Sequence, residues 1–387
     1  MRSFKLKING ESPRGLLIAF IFAKLKCDVH IYNFSTSSNS EKDYQIFLFS
    51  NSSKNLLSKL DIWNEIENIS YGFNSLGIID NLVSEQILLR TENFSKKNSN
   101  TIGWTANYSD IKILLLNKLI KSDNVHFISK SQLIDESLNF DYEINFINYD
   151  KKVNLFNFPL STFKRINKKI LIFNVYLRGH IEKRFYEINT PKGLLILTPL
   201  NRNLYQIIWY NASFLLKETS INSKSFLLDN LTTLLPNKFK IDQIIGDVNF
   251  EPFSNNTSTY IIKNKSIYFN ENKFKSNTLY NFKLDFIIRN TLKIYNFYQK
   301  SETKNFTILN KFGCYYLYRE YLELKIKSSL SNFLINLFIL NNIPSSNNIF
   351  SFLLRKSLFS LIKRINLFNV LFNKSSCNSH IINLNKY

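Results

Sequence analysis

Cysteine is scarce in this chain of 387 residues, which has only Cys27, Cys314 and Cys377. The three are scattered and odd in number, and the sequence contains no CxxC pair or Cys/His cluster. Such a pattern favours neither a disulfide framework nor a zinc site. We therefore expect no bound metal and a reducing, cytoplasmic environment.

Long apolar runs are also missing. Stretches such as Gly15–Ala23 and Leu334–Leu340 fall short of the roughly 20 residues that a membrane-spanning helix needs. The segment Met1–Lys5 leads directly into a strand pattern, without the apolar region and small-residue cleavage site of a secretory leader. These features predict a soluble protein.

Acidic residues are few: 29 Asp and Glu stand against 50 Lys and Arg, for a formal net charge of +21. This balance fits a nucleic-acid or anionic-membrane partner. It also fits a genome rich in A/T codons, because Lys is spread along the chain beside an equally heavy load of Asn, Ile, Phe and Tyr. No basic stripe or arm stands out, so we expect no nucleic-acid partner.

Apolar residues are plentiful, at 44% of the chain with 15% aromatic. This composition is typical of a globular protein, and the length suffices for one large domain or two interleaved ones.

The amino-terminal segment predicts a β-α-β unit. Apolar and Lys side chains alternate over residues 4–8, which is the period of a strand. The turn Asn9–Gly15 follows, then the apolar helix Leu16–Lys26 and a second strand, Asp28–Tyr32.

The centre of the chain changes character. Four apolar β-type runs separated by turns predict an antiparallel sheet: Lys169–Tyr176, Phe185–Asn189, Gly193–Thr198 and Leu204–Tyr210. Further elements are predicted as helices at Ser50–Ile66, Ile111–Lys121 and Ser225–Leu235 and as strands at Val125–Ile128, Ile144–Ile147 and Ser266–Phe269.

The order of these elements indicates an α/β fold in which a Rossmann-like domain is interrupted by an antiparallel sheet, with a helical C-terminus. We assign residues 1–150 plus 250–330 to the first domain, 151–249 to the inserted sheet domain and 331–387 to the C-terminal helical segment.

The turn Gly10–Gly15 has the position of a GxGxxG loop between a strand and a helix. In such loops the glycines allow a tight turn, close approach of pyrophosphate and close helix–strand packing. The first and third glycines are present and Ser12 replaces the second. The pattern favours dinucleotide binding, and a turn that binds nothing stays open as the alternative.

Beyond this loop, the chain resembles the flavin-dependent aromatic hydroxylases, in particular the ubiquinone-biosynthesis branch. The resemblance runs in order along nearly the whole chain and depends on Ser50–Trp63, Ile102–Trp104 with Ile111–Leu119, the hairpin Phe185–Leu200 with Trp209, Pro252 with Ile267–Glu271, Tyr315 with Arg319, and Leu337–Phe338 with Arg355–Leu358.

This resemblance implies an FAD-dependent monooxygenase with NAD(P)H as reductant, which hydroxylates the aromatic ring of a prenylated phenol or quinone precursor. Its lipophilic small-molecule substrate would be the principal partner. Flavin carries the chemistry in this family, so no catalytic side chain is assigned. The implied cofactor-binding positions are Gly10, Ser12, Gly15, Asn33, Gln45, Glu271 and Asp285.

Several of these positions depart from the family pattern on the nucleotide side. Asn33 replaces the acid that binds the adenosine ribose, and Gln45 stands where the family usually has an arginine near the flavin. The family's Ala-Asp-Gly motif aligns with Phe146–Asn148.

The positions on the flavin-ring side depart further from the family pattern. Glu271 keeps a carboxylate for the ribityl chain, but the loop Thr278–Asn290 has lost every family glycine and keeps Asp285. Side chains there would crowd the ring. A catalytically silent relative that serves as a binding or scaffold protein in quinone biosynthesis is therefore the alternative. The pair Gly246–Asp247 looks like the family's Gly-Asp pair but falls at another position.

The histidines His30, His126, His180 and His380 have no evident carboxylate partner at helical or strand spacing. We expect each to be structural or at the surface.

The segment Ser351–Asn373 predicts an amphipathic helix. Its apolar residues are Leu354, Leu358, Leu361, Ile362 and Ile365, and its cationic residues are Arg355, Lys356, Lys363 and Arg364. Such a helix can lie on an anionic bilayer, which would give peripheral contact with the inner membrane face. It can equally pack its apolar side on the flavin domain with its charges in water.

Overall fold

A computed structural model describes residues 4–10, 12–34, 44–90, 101–129, 139–147, 168–178, 183–210, 224–236, 239–253, 260–263, 266–270 and, except 354 and 358, 352–360. In this part of the chain, no helix is both long and apolar enough to cross a membrane. The C-terminal helical segment predicted for residues 331–387 lies largely outside the described residues.

In chain order the elements are β1 (Lys5–Asn9), α1 (Pro13–Lys24), β2 (Asp28–Phe34), β3 (Ile46–Ser50), α2 (Asn51–Lys59), α3 (Trp63–Asn68), β4 (Ser70–Phe73), β5 (Ser75–Asp80), β6 (Glu85–Arg90), β7 (Gly103–Asn107), α4 (Tyr108–Leu119), β8 (Val125–Ser129), β9 (Tyr142–Ile147), β10 (Lys168–Arg178), β11 (Arg184–Thr190), β12 (Gly193–Pro199), β13 (Leu204–Tyr210), α5 (Lys224–Leu234), β14 (Lys240–Phe253), β15 (Tyr260–Lys263) and β16 (Ser266–Asn270).

A six-stranded sheet holds the amino-terminal strand near its middle, in the order β15-β16-β9-β1-β2-β8. Its pairs are parallel except β15–β16. The late strand β16 returns to this sheet beside β9 after the chain has built a second sheet. The predicted α/β architecture, a parallel sheet interrupted by an inserted one, is confirmed.

The two faces of the six-stranded sheet differ because apolar and polar residues alternate along β1. Leu6 and Ile8 are fully buried on the face where α1 packs, and α4 joins α1 in the same core. Lys5, Lys7 and Asn9 line the opposite face.

A seven-stranded sheet has the order β14-β10-β13-β12-β11-β5-β6, with only the pair β11–β5 parallel. Leu195 and Leu197 face a core completed by α5, and Leu194 and Ile196 face a core on the other side. Because both faces are buried, the central strands β12 and β13 are apolar at most positions. The four predicted central strands are confirmed.

Strands β5 and β6 join this larger sheet although they lie between strands of the other sheets in the sequence. The three-stranded sheet β3-β7-β4 is antiparallel. It packs against the larger sheet, where the Thr105 hydroxyl donates to the Pro199 carbonyl at 2.5 Å. The domain limits drawn from sequence stay predictions.

The predicted helix Ser50–Ile66 is instead two helices, α2 and α3. Asp61 between them has a φ of +56°, in the left-handed region, where a helix cannot continue. Trp63 then begins α3 and packs edge-on against Trp104, with ring centroids 4.9 Å apart.

The described residues of 352–360 are helical. Phe359 is buried in the core between the larger sheet and the three-stranded sheet. The prediction that Arg355 is one of the outward cationic residues of this segment is wrong, since Arg355 is only 4% exposed and pairs with Asp80.

Candidate nucleotide-binding site

The turn between β1 and α1 is fixed by Gly10. Its φ is +107°, a conformation that residues with a Cβ rarely adopt. The Gly10 amide donates to the Tyr32 carbonyl at 3.1 Å, which ties the turn to the end of β2. Asn33 follows Tyr32 directly, so its backbone lies beside the turn.

Ser12 begins the helix as its N-cap. Its hydroxyl accepts a hydrogen bond from the Gly15 amide at 3.2 Å, and its carbonyl accepts one from the Leu16 amide at 2.9 Å. The backbone of Ser12 is extended, with φ −63° and ψ 142°. A serine therefore fits here without strain, and Pro13 at the first helical position is pre-organised for the helix.

Gly15 is required by close packing. A Cβ at this position would lie 3.2 Å from Cε2 of Phe146, 3.3 Å from the Gly10 carbonyl oxygen and 3.4 Å from Cγ2 of Ile8. This is the close helix–strand contact that the third glycine of a dinucleotide loop permits.

The loop lies at the topological switch point of the sheet. From β1 the chain goes to β2 on one side, and β9 pairs on the other. Ligands of open parallel sheets bind in the crevice outside the carboxyl ends of the strands at such a point.

An asparagine pair lies at the same end of these strands. Asn9 Nδ2 donates to Asn145 Oδ1 across β1 and β9. Asn145 is 8% exposed, and its Nδ2 has no hydrogen-bond partner among the described residues. Buried donors are normally satisfied, so this group suits a polar ligand atom entering the crevice.

Arg14, in the first turn of α1, was missed by sequence reasoning. It is 6% exposed, and its Cζ lies 5.3 Å from the ring centroid of Phe47 and 5.5 Å from that of Tyr108. Its charge adds to the positive end of the helix dipole, and both favour an anion at the loop. One arginine at the start of an otherwise apolar helix is the signal that could have found it.

Gln45 lies just before β3, away from the loop itself. Its carbonyl accepts the Tyr108 amide at 3.0 Å, and Tyr108 stacks on Phe47 with ring centroids 5.3 Å apart. Gln45 is thus connected to Arg14 through Tyr108. Glu271 and Asp285 lie outside the described residues.

The pair Gly246–Asp247 lies within β14, at the edge of the seven-stranded sheet. Gly246 has a φ of +69°, and a Cβ there would meet no atom within 4 Å. The pairing with β10 shifts register opposite this point, which marks a β-bulge.

The expectation that the histidines lack a carboxylate partner is wrong for His30 and His126. Oδ1 of Asp28 lies 3.1 Å from Nε2 of each ring. Burial lowers the pKa of His30 below its ordinary value, although the Asp28 carboxylate raises it.

No protein-family profile matches this sequence, and no curated protein does. Solved structures do match its fold. p-Nitrophenol 4-monooxygenase PnpA from Pseudomonas putida is 12% identical, with a TM-score of 0.63 over 96% of this chain and 99% of that one.

Two further structures share the fold. PqsL from Pseudomonas aeruginosa, described as a probable FAD-dependent monooxygenase, is 9% identical, with a TM-score of 0.64 over 93% of this chain and 100% of that one. The flavin-dependent halogenase CmlS is 12% identical, with a TM-score of 0.60 over 96% of this chain and 72% of that one. The chain therefore has the fold of FAD-dependent monooxygenases.

Proposed function

We propose that this chain binds FAD and is a flavin-dependent monooxygenase. The observation that carries the proposal is the loop Gly10–Gly15, which combines a left-handed glycine, a capped helix N-terminus and a glycine in close helix–strand contact at the switch point of a parallel sheet. A pyrophosphate is the ligand that such a loop accommodates.

The residues present fit the phosphate part of the cofactor. The helix N-terminus at Ser12–Arg14 and the guanidinium of Arg14 would hold the anion, and the orphaned Asn145 Nδ2 supplies a further donor at the same end of the sheet. Glu271 and Asp285 are proposed for the flavin side on the strength of the family resemblance alone.

Bound flavin, reduced by NAD(P)H, would supply the oxygen-transfer chemistry. The chain's own part is to bind the cofactor, orient the substrate and exclude water. We propose a prenylated phenol or quinone precursor as the substrate. The resemblance of Phe185–Leu200 to the substrate-domain hairpin of the ubiquinone-biosynthesis hydroxylases supports it, as do neighbours that act on or bind aromatic compounds, p-nitrophenol for one and 2-aminobenzoylacetate for PqsL.

A second candidate is a catalytically silent relative that binds or scaffolds partners in quinone biosynthesis. It is favoured by the sequence Thr278–Asn290, which has none of the family glycines, and by Asn33 in place of an acid. Peripheral contact with an anionic membrane suits either candidate, because isoprenoid substrates stay in the bilayer.

The absorption spectrum of the purified chain separates the candidates. A flavin spectrum, with NAD(P)H oxidation that increases when a prenylated phenol is added, supports the monooxygenase. A colourless protein that takes up no FAD on dialysis against it would leave only the silent relative. A yellow protein without substrate-stimulated turnover would reject the proposed substrate while keeping the cofactor.

A further inference from the structure

A cluster of three metal-ligating side chains lies on the polar face of the six-stranded sheet. His30 on β2 and His126 on β8 are register partners, so their side chains leave the same face of this parallel pair. Asp28 precedes His30 by two positions and shares that face. One ligand atom from each residue lies within 4.8 Å of the other two.

These groups are not satisfied by hydrogen bonds. His30 is 8% exposed, and neither of its ring nitrogens has a hydrogen-bond partner among the residues the structure describes. The same holds for Oδ1 of Asp28, whose 3.1 Å contacts with the two rings lack hydrogen-bond geometry. A buried imidazole that meets its carboxylate partner outside hydrogen-bond geometry leaves room for a cation between them.

A metal ion would satisfy all three. Zinc binds His nitrogen and carboxylate oxygen at about 2.0–2.1 Å, which in a tetrahedron separates two ligand atoms by about 3.3 Å. The two contacts of Asp28 Oδ1, at 3.1 Å each, are close to that separation. The two histidine nitrogens, which lie within 4.8 Å of each other, would close to it on binding. Two imidazoles and one carboxylate are a ligand set that zinc and its neighbours in the transition series accept, with a fourth position left for water.

We propose that Asp28, His30 and His126 bind one divalent transition-metal ion of the zinc class. This proposal differs from the sequence-based expectation of no metal, since scanning for cysteine clusters does not detect ligands brought together across strands. The His126 side chain is 50% exposed and gives the ion a route from solvent. Phe140 packs edge-on against His30, with ring centroids 5.2 Å apart, and so helps fix the ring.

The site is separate from the nucleotide loop. Asp28 and His30 pair with Lys5 and Lys7, in the first part of β1, whereas Gly10 follows its carboxyl end. The ion would therefore join the edge strand β8 to β2 rather than take part in flavin chemistry. Lys5 pairs with Asp28 in register, and its charge opposes a cation at the site, which predicts weaker binding than in a closed zinc site.

The proposal is tested on the tag-free full chain after treatment with a chelator. Calorimetric titration with zinc chloride should give one equivalent, and the cobalt(II) form should show the intense visible bands of a four-coordinate ion. Asp28→Asn and His126→Ala should each weaken zinc binding by about 10-fold or more and abolish those bands. Thermal unfolding with zinc should shift upward in the wild type and stay unchanged in Asp28→Asn and His126→Ala.

Two controls distinguish this site from adventitious binding. Asp123→Asn removes an exposed carboxylate just before β8, and His180→Ala/His380→Ala removes the chain's other two histidines; both variants should bind zinc like the wild type. The proposal is overturned if the wild type binds no zinc. It is equally overturned if Asp28→Asn and His126→Ala, shown to be folded by circular dichroism, bind as the wild type does.

Discussion

Arg355 donates a hydrogen bond to Asp80 at 2.9 Å, although the two residues are 275 positions apart in the chain. The Asp80 side chain has no exposure and that of Arg355 has 5%. Leu82 also donates its amide to the same carboxylate at 3.0 Å. The pair fastens the C-terminal helical residues to the end of β5.

Replacing Arg355 with Met should destabilise the protein. The Asp80 carboxylate would then be buried without its cation, and breaking a buried pair in this way costs about 3–5 kcal/mol. Urea denaturation measures the loss. The double variant Arg355→Met/Asp80→Asn should recover much of it because no buried charge is left, and a double variant as unstable as Arg355→Met would contradict this account.

The loss in Arg355→Met should depend on pH. Burial raises the pKa of Asp80 above its ordinary value, and Arg355 and the amides of Leu82 and Val83 oppose that rise. Removing Arg355 raises this pKa further, so the folded variant keeps the proton to higher pH than the folded wild type does. Its deficit in unfolding free energy relative to the wild type should be small at about pH 4 and grow as pH increases from the wild-type pKa of Asp80 to the higher pKa in the variant. Urea midpoints measured across that range check this, and a deficit that is constant with pH would contradict it.

Gly15→Val should abolish FAD binding and lower stability. The added side chain would overlap the Phe146 ring edge and the Gly10 carbonyl, and such overpacking costs about 1–3 kcal/mol. The measurement is the flavin-to-protein ratio after purification. Gly246→Asn is the matched control, because asparagine tolerates a left-handed φ and the site has open space. Unchanged flavin content in Gly15→Val would remove the loop as the cofactor site.

Arg14→Met should weaken FAD binding by about 10-fold, because the change keeps the apolar stem and removes a charge that favours phosphate. Fluorescence quenching of added FAD measures the dissociation constant. Lys24→Met removes one exposed charge from the last turn of the same helix and should leave the affinity unchanged. Equal effects of the two variants would point to net charge rather than to the loop.

The C-terminal helical residues should determine any binding to anionic liposomes. Phe352 and Leu353 are 43% and 54% exposed, and Lys356 is exposed beside them. Co-sedimentation should weaken as salt rises and fall further in Lys356→Glu. Lys224→Glu, at the exposed start of α5, is the control. If the wild type stays in the supernatant at low salt, these residues do not dock on a bilayer.

The sequence predicted the elements whose formation depends on local patterns of apolar residues. The strand Leu204–Tyr210 has the predicted limits, because a run of apolar residues buried on both faces needs no distant information. The strand Lys240–Phe253 was not predicted, because pairing with β10 continues it through a bulge at Gly246–Asp247. Long-range pairing overrides local propensity there.

The same distinction applies to the candidate sites. The nucleotide loop could be predicted from the sequence, whereas the residues that meet across elements could not. The loop Gly10–Gly15 is contiguous, so spacing alone located it. Arg14 lies over the rings of Phe47 and Tyr108, which belong to other elements, so the sequence alone did not identify it as a site residue. Asp28 and His126 meet only through the register of β2 and β8, which no local pattern encodes.

The position of β16 beside β9 has a consequence for biosynthesis. A ribosome releases β9 long before β16, so the nascent parallel sheet ends in an unpaired edge while the whole second sheet is being made. Exposed edges of this kind pair readily with other chains. Ribosome-bound fragments that stop before Ser266 should therefore depend on chaperones, whereas fragments extended past Asn270 should not.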